Sequence, residues 1–176
     1  MRGKHFQEAT GKSDEWYTPP SVFEALGAQF DLDVASPVPR VVPWVPADFH
    51  YSSGGLERPW FGFVWMNPPF GGRNGYRAWA DKFVAHGNGI ALAPVSTATA
   101  WCQKLMHGSD AILLWSPKVQ FIDPAGNVGS DPTFATMLCG IGKQAVVALC
   151  RAQSNGLLLH RNAPNNAQNA ERTTFD

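Results

Sequence analysis

Segments with helical spacing alternate with short apolar runs along most of this chain, and this alternation restricts its fold more than any other feature. Apolar residues recur at helical spacing over residues 76–84 and 98–106, on one face of each predicted helix. Short apolar runs at residues 90–95 and 111–115 indicate buried strands. Alternating helices and strands predict an α/β fold, a three-layer sandwich around a mainly parallel sheet.

The rest of the chain carries weaker signals of secondary structure. Pro20 and Gly27 would begin and end a short helix, and Thr97 would cap the second of the two long helices. Further strands are predicted at residues 30–35, 60–66, 133–139 and 157–160, the last at a sheet edge, while residues 143–150 fit a helix or a strand. Residues 36–59 are predicted as loop, irregular through the proline-rich residues 36–46.

Composition limits the class of protein. With 176 residues we expect one domain, at residues 14–161, between a flexible tail at 1–13 and a loose tail at 162–176. No apolar run is long enough to span a bilayer, and the N-terminus lacks the apolar stretch of a secretory signal. The three cysteines lie far apart, and none pairs with a histidine at ligand spacing, so we predict reduced core thiols and no metal site.

The formal net charge is zero, which argues against a protein coated in positive charge. Local basic clusters can still contact nucleic acid. One lies at residues 2–12, where a solvated tail is the better interpretation. A second contains Arg73, Arg77 and Lys82, and for Arg73 and Arg77 phosphate contact and plain surface charge are equally supported.

The turn Asn67-Pro68-Pro69-Phe70 follows a predicted strand, and ligands of parallel sheets bind beyond the carboxyl ends of the strands. The Asn67 side-chain oxygen and the Pro68 carbonyl could accept hydrogen bonds from the two N–H groups of an unreactive amine, such as N6 of adenine. These hydrogen bonds would free the nitrogen lone pair from delocalisation into the ring. Prolines fix φ and hold both acceptors still, which preorganises the site for a transition state. Asn and Pro are also common turn residues, so the tetrapeptide alone fits a plain turn equally well.

The residues that follow the prolines favour catalysis over a plain turn. Phe70 offers a face on which a base can stack, and Gly71 and Gly72 leave room for close approach. A base inside a duplex cannot reach such a turn and would have to be flipped out. The position after a buried strand, with Gly-Gly and Arg73 behind it, therefore predicts a catalytic centre.

Several blocks, in order over about residues 13–142, resemble the phage-type DNA N6-adenine methyltransferase (Dam) family. Residues 14–19 resemble the family's opening Asp-Glu-Trp-x-Thr-Pro, and residues 30–35 resemble its Leu-Asp-Val-x-Ala segment. Residues 64–71 resemble its Asn-Pro-Pro-aromatic-Gly catalytic segment. Residues 94–101 are similar to a Pro-x-x-Thr-x-x-x-Trp stretch, and residues 115–121 with 130–139 fit its final strands.

The resemblance implies a Rossmann-like fold that transfers a methyl group from S-adenosyl-L-methionine (AdoMet) to N6 of adenine at specific DNA sites. It implies DNA as the partner, in a bacterial host cell or for a phage-encoded protein. The composition and the cysteine and histidine spacing predict a cytoplasmic protein with no membrane or metal partner. Asn67, Pro68 and Phe70 would bind and activate the base, and Pro69, Arg73 and Arg77 would contact the substrate. The AdoMet pocket would be lined by Trp16, Tyr17, Thr18, Pro19, Asp33 and Ala35, with Asp48 as a further acidic contact.

Two departures from the family pattern concern the cofactor contacts. Ser36-Pro37 follow in place of a glycine-rich loop after Asp33, and Ser53-Gly54 replace the acidic pair that precedes a Gly-Leu in relatives. Three alternatives stay open: methylation of a protein glutamine amide, methylation of cytosine N4, and nucleic-acid binding without catalysis. The opening block and the small size argue against a protein glutamine substrate. Asn67, where a serine would favour cytosine N4, argues against cytosine. The intact turn argues against binding without catalysis.

Overall fold

The computed structural model describes residues 16–37, 43–70, 75–129 and 134–161, which form one sheet of seven strands with four α-helices. In chain order the elements are α1 (Pro20–Leu26), β1 (Phe30–Asp33), β2 (Ala47–His50), β3 (Val64–Met66), α2 (Gly75–His86), β4 (Gly89–Pro94), α3 (Ala100–Gly108), β5 (Ala111–Trp115), β6 (Thr136–Ile141), α4 (Lys143–Arg151), a 3-10 turn (Ala152–Asn155) and β7 (Gly156–His160). The predicted tails at 1–13 and 162–176 lie outside the described residues.

The strands are ordered β2-β1-β3-β4-β6-β5-β7. The pairs β2–β1, β1–β3 and β3–β4 are parallel, whereas β4–β6, β6–β5 and β5–β7 are antiparallel. The prediction of a mainly parallel sheet is therefore wrong, because the sheet is mixed. The chain passes from β5 to β6 without a crossover helix in the described part of that connection, and a strand that returns directly runs antiparallel to its neighbours.

The strand order reverses at β1. From β1 the chain goes outward to β2, and it then crosses back to β3 on the opposite side of β1 before continuing to β4. Connections that leave adjacent strands in opposite directions open a crevice at the carboxyl ends of those strands. The ends of β1 and β3 therefore border the expected ligand site.

Helices cover both faces of the sheet. α1 and α4 pack on one face through an apolar cluster that includes Phe23, Leu26 and Leu149. α2 and α3 pack on the other face through a cluster that includes Phe83 and Leu105. This arrangement confirms the α/β class and its three layers. No helix in the described part of the chain has the length and apolar character needed to cross a membrane.

The helix ends follow local signals that the sequence shows in part. Gly27 has a left-handed backbone with φ of 53° and donates to the Phe23 carbonyl, so it ends α1 as predicted. The cap of α3 is Thr99, whose Oγ1 accepts from the Cys102 N–H, so the prediction of Thr97 was wrong. Thr99 Oγ1 also donates to the Ser96 carbonyl at 2.8 Å, which holds a turn before the helix and delays its start.

Two strand predictions differ from the structure. Residues 60–66 contain only the short strand β3, and residues 47–50 form β2 although they were predicted as loop. β2 is an edge strand of four residues that pairs only with β1, and its Phe49 is 60% exposed. It therefore lacks the apolar run that marked the buried strands. The undecided segment 143–150 is helical, and its buried residues recur at helical spacing.

Candidate active site

Asn67 lies directly beyond the carboxyl end of β3, beside the crevice between β1 and β3. Its side-chain Nδ2 donates a hydrogen bond to Thr18 Oγ1 at 3.0 Å. No described residue donates a hydrogen bond to the Asn67 side-chain oxygen. One end of the amide is therefore engaged within the protein, and the other end can accept a hydrogen bond from a ligand.

Two prolines hold the backbone that follows Asn67. Pro68 is buried and Pro69 is exposed, and each ring fixes its own φ. No donor in residues 16–37, 43–70, 75–129 or 134–161 bonds to the Pro68 carbonyl. The turn therefore carries two acceptors, the Asn67 side-chain oxygen and the Pro68 carbonyl, that the described part of the chain leaves unpaired.

A short arm, residues 16–19, runs beside this turn. Tyr17 forms an antiparallel bridge with Ile122, with N–H···O distances of 2.8 and 2.9 Å in the two directions. The Thr18 carbonyl accepts a hydrogen bond from Trp44 Nε1 at 2.9 Å, and Thr18 is 3% exposed. Together with the Asn67 hydrogen bond, these contacts anchor the middle of the arm to three separate segments of the chain.

The two ends of the arm are less enclosed than its middle. Trp16 is 36% exposed, and its ring lies against Gly129, where an added Cβ would come within 2.8 Å of the indole. Pro19 is partly buried and extended, and it is the N-cap residue of α1. Of the four predicted cofactor residues on the arm, Tyr17 and Thr18 are the buried ones.

Asp33 ends β1 across the crevice and is only 4% exposed. Its Oδ1 accepts a hydrogen bond from the Ala35 N–H at 3.1 Å, which bends the chain at the strand end. Its Oδ2 lies 3.8 Å from Nδ1 of His50, the residue paired with it on β2. That separation is within ion-pair range but too long for a hydrogen bond.

Buried polar atoms without partners lie close to Asp33. Both ring nitrogens of His50 and the Ser36 hydroxyl have no hydrogen-bond partner within the described residues. An unpaired buried polar group costs free energy, so such atoms mark a place suited to a polar ligand. Sequence reasoning missed His50, although the alternation Ala47-Asp48-Phe49-His50 was a signal for a strand ending there.

Asp48 is not brought to the other candidate cofactor residues. Its Oδ1 accepts a hydrogen bond from Gln29 Nε2 at 2.9 Å, and Gln29 precedes β1. Because Asp48 stands two residues before His50 on β2, its carboxylate lies toward the amino end of β1, away from Asp33 at the carboxyl end. The structure thus places His50, and not Asp48, opposite Asp33.

The loop at residues 51–59 passes over the end of β1. An added Cβ on Gly55 would lie 2.1 Å from the Val34 carbonyl, so only glycine allows this approach. Lys82 Nζ donates to the carbonyls of Gly55 and Leu56, at 3.1 and 2.7 Å, and to that of Arg58. Burial lowers the pKa of Lys82 from its usual value. Lys82, which belonged to the basic cluster of the sequence, is thus committed to holding this loop.

Phe70 is half-buried at the end of an aromatic cluster. Its ring centroid lies 5.9 Å from that of Tyr76, 6.3 Å from that of Phe121 and 5.3 Å from that of Phe134. The contacts with Phe121 and Phe134 are edge-to-face. Tyr76 donates from its hydroxyl to the Leu92 carbonyl at 2.7 Å, and burial raises its pKa well above the ordinary value, so it stays a neutral donor. The cluster supports Phe70 from several sides.

Arg77 stands on the outer side of α2. Its side chain is 80% exposed, and its Nε lies 3.9 Å from Asp81 Oδ2. Asp81 also pairs with Lys104. Arg77 is therefore free enough to contact a large ligand. Arg73, the other predicted DNA contact, lies outside the described residues.

No group of three or more histidine, cysteine, aspartate or glutamate side chains in the described part of the chain could hold a metal ion. The sequence model of the DNA N-6-adenine-methyltransferase (Dam) family matches residues 7–145, a range that includes the arm, β1 and the Asn67 turn. No curated protein and no solved structure matches the chain significantly. The mixed α/β sheet is compatible with a methyltransferase fold. The chain therefore belongs to the DNA N-6-adenine-methyltransferase (Dam) family.

Proposed function

We propose that this protein transfers a methyl group from AdoMet to N6 of an adenine that has been flipped out of duplex DNA. The observation that carries the proposal is the position of Asn67 and Pro68 at the carboxyl end of β3, with two backbone-anchored acceptors left unpaired by the described residues. Family membership supports DNA as the substrate. The geometry supports an amine as the reacting group, because an amine presents two N–H bonds to two acceptors.

The residues around Asp33 fit AdoMet. The unpaired nitrogens of His50, the unpaired Ser36 hydroxyl and the Asp33 carboxylate form a buried polar group at the carboxyl end of β1. Hydroxyl and amino groups of a nucleoside would satisfy these atoms. When bound, AdoMet supplies an electrophilic methyl group. Trp16, Tyr17, Pro19 and Ala35 are proposed to line the same pocket, while Asp48 is left out because it bonds Gln29.

The chain's own contribution to the reaction is to hold the target nitrogen in a reactive geometry. Asn67 Oδ1 and the Pro68 carbonyl accept hydrogen bonds from its two N–H groups. These two hydrogen bonds favour a pyramidal nitrogen whose lone pair is no longer delocalised into the ring. The acceptors are set in place before the substrate arrives, so no reorganisation is needed during the reaction. Neither acceptor is a base, and we propose that the amine proton leaves to water after transfer.

The remaining predicted residues would act on the DNA. Phe70 would support the flipped base, and the rings packed behind it would hold it in place. Pro69 is exposed at the turn and would contact the base or its backbone. Arg73 and Arg77 would contact phosphates, which position a duplex without reading its sequence.

The proposal is tested by following label from AdoMet into unmethylated DNA in single turnovers. The wild-type protein should transfer label. Asn67→Ala should slow transfer by a hundredfold or more, since loss of one preorganised group of this kind costs about 2.7–4 kcal/mol. Asn88→Ala is the matched control, because the Asn88 side chain donates to the Gly62 carbonyl, outside the candidate site, and its loss should affect melting but not rate. Transfer by Asn67→Ala at the wild-type rate would contradict the proposal.

A further inference from the structure

We infer that Thr18 is a positioning residue for Asn67, and that its hydroxyl holds the Asn67 amide in the orientation that activates the substrate amine. The inference rests on the proposed function and assigns to Thr18 a role other than lining the AdoMet pocket. Its basis is the 3.0 Å hydrogen bond from Asn67 Nδ2 to Thr18 Oγ1.

An asparagine side chain has two ends of nearly equal shape and opposite hydrogen-bonding character. With the oxygen toward the substrate, Asn67 accepts a hydrogen bond from an N–H group of the amine. With the nitrogen toward the substrate, two donors face each other and the amine is not activated. A hydroxyl can accept or donate, and in the structure the Thr18 hydroxyl accepts from Asn67 Nδ2. This hydrogen bond holds the nitrogen on the far side of the amide and leaves the oxygen toward the substrate.

Thr18 is held well enough to perform this task. It is 3% exposed, so water does not compete freely for its hydroxyl. Its carbonyl accepts from Trp44 Nε1, and the preceding residue Tyr17 is bonded to Ile122 in both directions. Asn67 in turn follows β3, an interior strand of the sheet. Two anchored segments, 49 residues apart in sequence, thus meet at this hydrogen bond.

The test compares Thr18→Val, which keeps the shape and removes the hydroxyl, with Thr18→Ser, which keeps the hydroxyl. Thr18→Val should lower the single-turnover rate about tenfold, the effect of losing one neutral hydrogen bond. Its affinity for AdoMet should stay at the wild-type value, and Thr18→Ser should recover most of the rate. Thr99→Val, at the cap of α3, is the matched control and should lower the melting temperature without changing the rate.

A double variant distinguishes positioning from general damage. In an Asn67→Ala background Thr18→Val should cause no further loss, because the side chain that it orients is gone. An equal loss in both backgrounds would overturn the inference, as would a wild-type rate for Thr18→Val or a fall in its AdoMet affinity.

Nuclear magnetic resonance gives a readout that does not depend on activity. The Asn67 side-chain amide protons, assigned by their disappearance in Asn67→Ala, should exchange with solvent faster in Thr18→Val than in the wild type or Thr18→Ser. Equal exchange in all three would overturn the inference. If the wild-type protein transfers no methyl group, the proposed function is wrong, and the exchange rates still decide whether Thr18 orients Asn67.

Discussion

At the scale of single residues, the candidate site contains polar atoms that the described parts of the protein leave without a hydrogen bond, and those of His50 are also buried. The Asn67 oxygen and the Pro68 carbonyl lie at the end of β3, and the His50 nitrogens lie at the end of β2. A folded chain keeps such atoms unpaired when a ligand satisfies them. Substitutions here are therefore expected to affect ligand binding more than stability.

His50 provides a test of that expectation. His50→Leu removes two buried nitrogens that have no hydrogen-bond partner among the described residues, and it also removes the 3.8 Å contact with Asp33. It should therefore change the melting temperature little, while the affinity for AdoMet falls. Calorimetry with AdoMet and thermal melts measure the two effects. Thr136→Val is the matched control, because Thr136 Oγ1 is also buried without a partner among the described residues. It should raise stability with no change in affinity, and a His50→Leu variant with wild-type affinity would remove His50 from the pocket.

Phe70 should support the base through its aromatic face and the fold through its packing. Phe70→Leu keeps apolar volume among the neighbouring rings but loses the face, so it should weaken capture of the flipped base by about 1–3 kcal/mol with a small change in stability. Phe70→Ala should weaken both, and Phe70→Trp should be tolerated better than Phe70→Ala because stacking needs only a face. Single-turnover rates against DNA concentration report capture, and melts report packing.

The control for Phe70 is Phe61→Leu, the same change on a ring that is 42% exposed and packs on Phe49. It should leave capture unchanged. Wild-type capture by Phe70→Leu would mean that Phe70 serves only the aromatic cluster.

At the scale of elements, the sequence predicted those parts whose signal is local. The helical stripe of α2, the glycine that ends α1 and the apolar runs of β4 and β5 each depend on residues within one element. The edge strand β2 was missed because a strand that pairs on one side only can remain partly exposed, so its sequence need not contain an apolar run. His50 was missed with it, since its role depends on register with Asp33. The sequence marks the Asn67 turn as a candidate site, but the hydrogen bond from Asn67 to Thr18 joins residues far apart in sequence and has no local signal.

The loop at residues 51–59 is held by Lys82 of α2, a contact between distant segments that the sequence pattern does not predict. Lys82→Met keeps the aliphatic chain and removes the ammonium from the carbonyls of Gly55, Leu56 and Arg58. The free energy of unfolding should fall by about 1–2 kcal/mol, since partly exposed carbonyls regain some water. Urea unfolding measures this. Lys104→Met, which removes an exposed ion pair with Asp81, should change stability by about 0–1 kcal/mol. Equal effects of the two substitutions would contradict the assigned role of Lys82.

At the scale of the whole molecule, the formal net charge is zero, so we expect the electrostatic part of the proposed DNA binding to come from local clusters of charge. The topology is also a property of the whole chain. The insertion of β6 between β4 and β5 depends on long-range pairing, so the alternation of helices and strands could not reveal that the sheet is mixed. What the alternation did predict is the α/β class.

Arg73 and Arg77 test the electrostatic part of the account. If they contact phosphates, Arg73→Ala and Arg77→Ala should weaken binding to DNA of any sequence and reduce the slope of log affinity against log salt by about 1 each. Binding at two salt concentrations measures this. Lys104→Ala is the control, because Lys104 lies on the neighbouring helix α3 and is already paired with Asp81 of α2. Unchanged binding and slope would show that the two arginines are surface charge only.

The identity of the methylated product shows which amine this protein methylates. The protein is incubated with labelled AdoMet and unmethylated duplex DNA, the DNA is digested to nucleosides, and the labelled nucleoside is identified. We expect label in N6-methyladenine. Label in N4-methylcytosine would assign the Asn67 turn to a different amine, and label on a protein glutamine in place of DNA would contradict DNA as the substrate. DNA binding without any transfer of label would contradict the claim that this site is catalytic.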